Sequence, residues 1–251
     1  MALLSLEGVG RRFGGLHAVR DLTLAVEAGR ITGLIGPNGA GKTTVVNLVT
    51  GLLALTQGRV VLDGRDISAL EPHEVARLGL ARTFQNIRLL PEQSVIENVM
   101  IGFNARERAG FLASALGLPA ARRERASVEA RARDLLATFE LSGLADALAG
   151  DLSYGHQRRV EMARALAAEP RALLLDEPVA GMNDVEAAAL GRVFRRIAEG
   201  GVAMLLIEHN MRFVMEVCDW LYVLDAGALI AGGRPAEVNA DPRVVDAYLG
   251  A

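Results

Sequence analysis

Apolar and polar positions alternate with a period of two at residues 3–9, and again at 21–27, where Leu22, Leu24 and Val26 share one face. A strand sends successive side chains to opposite faces, so both stretches predict half-buried strands. Residues 31–35 are a short apolar run. Beyond it, Val45, Val46, Leu48, Val49 and Leu52 predict a mostly buried helix over 41–52. Residues 59–62 predict a strand closed by an Asp63-Gly64 turn, and 71–78 a helix with Pro72 in its first turn.

From residue 104 to 141 the chain turns rich in Ala, Arg and Glu, all strong helix formers. Gly117 and Pro119 break the stretch into at least two helices, which predicts a helical subdomain inserted into an α/β core. The last third then alternates. Helices are expected over 154–168, 184–199 and 210–218, with strands over 172–175, 202–207 and 220–224. Alternation of this kind implies a mostly parallel sheet covered on both faces. A hairpin around Gly227 and a closing helix over 241–249 complete the expectation. No internal repeat is visible.

Composition narrows the class. With 251 residues the chain suits one large domain, or one domain with an insertion. A chain of that size buries roughly 70–75% of its unfolded surface without needing staples. Its 51% hydrophobic content argues against disorder. A net charge of −3 speaks against nucleic-acid binding through a broad basic field. Cys218 is the single cysteine, so no intrachain disulfide forms and a reducing cytosol is expected. The first residues, MALLSLEGVGRR, lack a signal peptide's pattern, and no apolar run approaches the ~18 residues of a membrane span. Any role at a membrane is therefore expected to come through a partner.

Candidate chemistry begins with one residue. Of 27 Lys and Arg residues, only Lys42 is lysine. Arginine is a broad planar fork and lysine a compact charge on a thin stem, so position 42 asks for a small cation in a tight place. It lies in Gly36-Pro37-Asn38-Gly39-Ala40-Gly41-Lys42-Thr43, which matches the phosphate-cradling loop G-x-x-x-x-G-K-[ST]. The expected strand precedes this loop and the expected helix follows it. Loop N–H groups and the helix N-terminus would hold phosphates, with Lys42 on the β and γ phosphates and Thr43 on Mg²⁺. Further on, the apolar run 172–175 ends in Asp176-Glu177. The expectation is a strand beside the loop's own strand, with Asp176 completing the Mg²⁺ shell and Glu177 acting as base for an attacking water. Leu152-Ser153-Tyr154-Gly155-His156-Gln157 precedes a long helix, with Ser153 as a good N-cap whose neighbouring N–H groups could bind an anion.

Taken together these motifs resemble the ATP-binding cassette (ABC) family over essentially the whole chain. The resemblance implies a P-loop NTPase fold of class α/β: a mostly parallel core sheet, an antiparallel β subdomain and an inserted helical subdomain. It implies one domain, with core and β subdomain over 1–90 and 171–251, and helices with the signature motif over about 91–170. It adds Phe13 as the adenine-stacking aromatic, with Val19 and Thr44 among the ATP contacts. Gln85, which closes Arg82-Thr83-Phe84-Gln85, resembles the glutamine that touches Mg²⁺ and senses the membrane partner. His209 resembles the switch histidine at the γ-phosphate. Tyr154 stands where the family usually has a glycine. Asn183 stands in the dimer-contacting loop, where many members have Asp.

The resemblance also implies ATP hydrolysis with Mg²⁺ by paired chains, in which Ser153 of one faces the P-loop of the other. The pair is a homodimer or a heterodimer with a second cassette, set on transmembrane permease subunits at the cytoplasmic face of the inner membrane. A periplasmic or extracellular solute-binding protein serves it indirectly. Residues 35–42, 82–90, 95–99, 154–155, 180–183, 207–211 and 247–250 are similar to the cassettes of branched-chain amino acid importers, and the longer insertion over 104–133 resembles the larger of their two cassette subunits. Importers of related small amides such as urea, and cassettes of lipopolysaccharide exporters, are the near alternatives. Soluble ABC proteins of DNA repair or translation are the distant one, because their long coiled coils or doubled cassettes are missing here. The insertion over 104–133 reads equally as a solvated helical face or as a permease-docking surface.

Overall fold

The computed structural model describes residues 2–83, 87–103 and 119–249. They fall into two compact units, Met1–Arg82 with Arg171–Ala251, and Thr83–Pro170.

The first unit holds two sheets. An antiparallel one has the order β2-β1-β4-β5, with β1 Ala2–Phe13, β2 Leu16–Glu27, β4 Gln57–Leu62 and β5 Arg65–Asp66. Both long strands outrun their alternating stretches. Register shifts between Leu6 and Val9 and around Arg11 break the period of two that made the strands legible. The six-stranded sheet runs β10-β9-β3-β8-β7-β6. Its centre is β3 Ile31–Ile35, β8 Ala203–Ile207 and β7 Ala172–Asp176, all parallel and buried at every position. Such strands read as continuous apolar runs because both faces are covered. β6 Leu80–Arg82 pairs with β7, and β9 Trp220–Asp225 turns back into β10 Ala228–Gly233 through Ala226 and Gly227, both at positive φ.

One sequence expectation is corrected here. The strand ending in Asp176 is not beside the P-loop strand; β8 lies between them. Periodicity fixes that a segment is a strand but carries nothing about lateral order, and the β7-to-β8 crossover through α6 Asp184–Glu199 places β8 in that gap. Helix α1 is also shorter than expected, Lys42–Val49. The Thr50 hydroxyl donates back to the Val46 carbonyl at 2.8 Å, and Gly51 turns to φ +73°. The remaining helices of this unit are α2 Pro72–Arg77, α7 Met211–Val217, α8 Pro235–Asn239 and α9 Pro242–Leu249.

The second unit is helical: α3 Val95–Ile101, α4 Pro119–Thr138 and α5 Tyr154–Ala167. α3 begins in a reciprocal cap between Ser94 and Glu97 and packs on α4 and α5. Its buried Asn98 accepts from the Leu90 N–H at 2.8 Å and donates to the Leu90 and Ser94 carbonyls, fixing the entering loop. Helix α4, described from Pro119 to Thr138, carries an i,i+4 pair, Arg133–Glu129, at 2.9 Å. Residues 104–118 lie outside the described residues, so the expectation of a further helix there is not addressed.

Candidate functional site

The P-loop passes from buried β3 into α1 and is shaped by backbone pressed close around it. Gly36 has φ +146°, and a Cβ there would stand 2.0 Å from the Leu224 carbonyl oxygen. Gly41 has φ +103°, with a Cβ position 2.5 Å from the Ala18 carbonyl oxygen. Only glycine satisfies both the torsion and the space. The Gly227 N–H donates to the Ala40 carbonyl at 3.0 Å, and the Arg20 N–H donates to the Gly227 carbonyl at 2.7 Å. The loop is thus fastened to the β9–β10 turn and, through it, to β2.

Gly41 caps α1 without any side-chain hydrogen bond, so the first-turn N–H groups are left for another acceptor. Asn38, Gly39 and Thr43 are exposed, Pro37 and Thr44 half-buried and Ala40 buried. The Lys42 ammonium donates to the carbonyls of Gly36 at 2.6 Å and Pro37 at 2.9 Å. Burial lowers its pKa, while the charges of Glu177 and Asp176 pull the other way. Those two carboxylates therefore share the field of the one lysine.

Asp176 ends β7 and is 3% exposed. Arg82, at the end of β6, bridges it at 3.3 Å and donates to the Asn47 side chain of α1 at 2.7 Å. Glu177 follows at φ +50°, a left-handed conformation that costs a non-glycine residue about 1 kcal/mol or more. Its N–H still donates to the Ile207 carbonyl at 2.8 Å, while its carboxylate lies 3.6 Å from the His209 Nδ1. Between them sits Glu208, fully buried, accepting from the N–H groups of Val179, His209 and Asn210. Burial pushes its carboxyl above the usual range, against the pull of those three donors. Gln85 lies outside the described residues. Asn183 caps α6, its side chain accepting from Val185 and Glu186 N–H groups at 3.0 Å each.

Phe13 ends β1 and is 44% exposed. The Arg11 guanidinium stands 4.6 Å from its ring centroid, a cation–π contact. Val19 is buried at 1% exposure and contributes to the core as well as to the adjoining cleft lined by Arg11 and His17.

In the helical unit, Ser153 caps α5, accepting from the His156 N–H at 3.4 Å. Leu152 is half-buried, and the Gln157 side chain donates to the Ala149 carbonyl at 3.1 Å. Tyr154 has a local reason to replace a glycine. Its hydroxyl accepts from buried Arg158 at 2.9 Å, and that guanidinium lies 5.3 Å from its ring centroid. Gly155 differs from the P-loop glycines: nothing lies within 4 Å of where a Cβ would be.

Arg82, Asn47 and Glu208 were given no role by sequence reasoning. Arg82 sat inside a recognised string, and Glu208 between an apolar strand and His209. The shared hydrogen bonds that distinguish them exist only in three dimensions.

The donor set around Lys42 suits Mg²⁺. It consists of hydroxyl and carboxylate oxygens, and among the described residues there is no cluster of three or more His, Cys, Asp or Glu that could cage an ion alone. Mg²⁺ prefers one or two carboxylates, its own waters and substrate phosphates.

Comparison with known proteins agrees in every part of the chain. A family model described as ABC transporter matches residues 19–180, and one described as branched-chain amino acid ATP-binding cassette transporter matches 228–251. The branched-chain amino acid transport ATP-binding protein BraF of Pseudomonas aeruginosa is 42% identical, covering 99% of this chain and 98% of that protein. LivG of Salmonella typhimurium is 40% identical over the same shares. The lipopolysaccharide export ATP-binding protein LptB of Escherichia coli is 36% identical over 100% and 98%. Among solved structures, an ABC transporter cassette in its ADP conformation superposes with a TM-score of 0.87 at 36% identity, covering 100% of both chains. A nucleotide-free cassette gives 0.86 at 35%, again over 100% of both. Matched from β2 to its last helix, the chain belongs to the ABC transporter family as one of its ATP-binding cassettes.

Proposed function

We propose that this ATPase energises uptake of branched-chain amino acids, or of a related small polar solute, through partner permease subunits. The observation that carries the catalytic part is the convergence of Lys42, Asp176, Glu177 and His209 at the carboxyl ends of β3, β7 and β8. The branch rests on the 228–251 match and on the higher identity to BraF and LivG than to LptB. Lipopolysaccharide export is the reading weighed second.

In the proposed reaction, water attacks the γ-phosphorus, the bond to the β-bridging oxygen breaks, and ADP and phosphate leave. Glu177 takes the proton that the water sheds. His209 steadies the γ-phosphate and the water-binding face of Glu177. Lys42 and the P-loop N–H groups hold the phosphates, and Phe13 stacks on the base. Thr43 and Asp176, with Gln85, would hold Mg²⁺, which supplies charge neutralisation at the β and γ phosphates. Hydrolysis of this kind depends mostly on positioning and electrostatics.

The pairing follows from Ser153 and Gly155. Among the described residues nothing lies within 4 Å of where a Cβ at 155 would be. The open face there would admit a second cassette's nucleotide, so two ATP molecules would be clasped between two cassettes, identical or not. ATP would favour the closed pair and ADP would not. No helix among the described residues is long and apolar enough to cross a membrane. Peripheral attachment at the cytoplasmic face, with a solute-binding protein delivering solute on the far side of the permease, rests on the likeness to transport ATP-binding proteins.

Reconstitution of this chain with permease subunits that co-purify with it tests the reading. Leucine uptake into proteoliposomes should require ATP, magnesium and the chain, and should stop with Glu177→Gln. Uptake that ignores the chain would overturn it.

A further inference from the structure

Strands β7 and β8 run parallel and pair as far as Asp176 and Ile207. One more ladder bond follows, from the Glu177 N–H to the Ile207 carbonyl at 2.8 Å, and then the two chains part. One continues through Glu177 and Pro178 to Val179; the other runs through Glu208 to His209 and Asn210. Both candidate catalytic side chains sit at this parting. Beyond it the backbone ladder can no longer fix one chain against the other.

Glu208 takes over from the ladder. One carboxylate oxygen accepts from the Val179 N–H at 2.9 Å. The other accepts from the His209 N–H at 3.1 Å and the Asn210 N–H at 3.4 Å. The side chain is 0% exposed, and Val179 is 4% exposed. A buried carboxylate is costly to desolvate, and an apolar replacement would leave these N–H groups without this acceptor. A carboxylate alone among side chains offers two acceptor oxygens and no donor.

We propose that Glu208 is a positioning residue for ATP cleavage, its buried carboxylate clasping the backbone just after Glu177 to the backbone of His209 so that the two side chains hold one geometry. This rests on the reading that Glu177 and His209 serve hydrolysis. Fully buried, Glu208 acts through the two loops. A shift in either loop would move base and histidine apart while leaving the P-loop intact.

Glu208→Gln tests this with little change of shape. The amide keeps one acceptor but turns an NH₂ toward N–H donors, so one of the two loops must come loose. Turnover should fall on the order of ten- to a hundredfold, the size of effect expected from small misplacements, with affinity for a fluorescent ATP analogue within about twofold. In a His209→Ala background the same change should cost less than about twofold, because the partner to be positioned is gone. Wild-type turnover in Glu208→Gln, or an equal deficit in both backgrounds, would overturn the proposal. So would a deficit explained by lost nucleotide affinity. Amide hydrogen exchange provides a second reading: either Val179 or His209 should lose protection in Glu208→Gln, and unchanged protection at both would also overturn it. A wild-type chain without ATPase activity would remove the reaction itself, while exchange would still report on the clasp.

Discussion

His209 Nδ1 stands 3.6 Å from Glu177 Oε1, although the histidine is 63% exposed and the carboxylate 27%. The pair joins a solvent-facing ring to a carboxylate held in a left-handed backbone conformation. Glu177→Gln keeps size and polarity but removes the proton acceptor. Turnover should drop by about 10²-fold or more, the scale of a lost general base, while nucleotide binding persists. Steady-state ATPase assays beside equilibrium binding of a labelled ATP analogue check this. Near-normal hydrolysis would take Glu177 out of the base role.

Lys42→Arg changes no charge. The ammonium sits against two carbonyls of its own loop at 2.6 and 2.9 Å, a space shaped for a point donor. A planar fork carries five donors in fixed directions and does not fit there. ATP affinity should fall by at least about tenfold, equivalent to about 1.4 kcal/mol, with the melting temperature little changed. Isothermal titration with ATP is the measurement, and unchanged affinity would refute the steric argument.

Ser153→Arg should leave each chain able to bind ATP but block ATP-driven pairing. The exposed cap of α5 has room for the side chain in the free chain, whereas a second cassette would meet it directly. Size-exclusion chromatography of the Glu177→Gln protein with ATP should show a dimer peak. Adding Ser153→Arg should return that peak to monomer; a persisting dimer would mean that α5 does not face the partner.

Cys218 packs against β3, its sulfur 3.0 Å from where a Gly33 Cβ would stand, and burial pushes its thiol up to about 12. The folded pKa lies above the ordinary value of 9.0, so folding favours the protonated thiol. That contribution is complete below pH 9 and disappears as pH rises toward about 12, amounting to about 4 kcal/mol at most. Cys218 should resist a thiol reagent at pH 8 and react fully in urea. Cys218→Ala should flatten the fall of stability between pH 9 and 12. A native thiol that reacts as fast as free cysteine would contradict the burial.

The parts of the fold legible in the sequence were those governed by local period. Residues 31–35 and 184–199 coincide with β3 and α6, because an apolar run and a strong amphipathic pattern survive any tertiary context. What stayed hidden depended on neighbours far along the chain. The three-residue β6 is too short to show a period, and the place of β8 between β3 and β7 follows from crossovers rather than composition. The site divides the same way. Lys42, Asp176 and Glu177 stood out because their chemistry needs contiguous residues. Arg82 and Glu208 did not, since an arginine on Asn47 or a carboxylate on Val179 is a meeting of segments that are 35 and 29 positions apart.

Gly36 under the Leu224 carbonyl, Gly41 under that of Ala18 and Ala40 tied to Gly227 mean that the phosphate cradle is cast by its surroundings. Its curvature is inherited from two sheets already assembled, so little conformational freedom remains to be surrendered when a triphosphate arrives. With nucleotide held there as proposed, affinity would be a property of the whole first unit. The eight-residue motif cut out as a peptide would keep its letters and lose its grip.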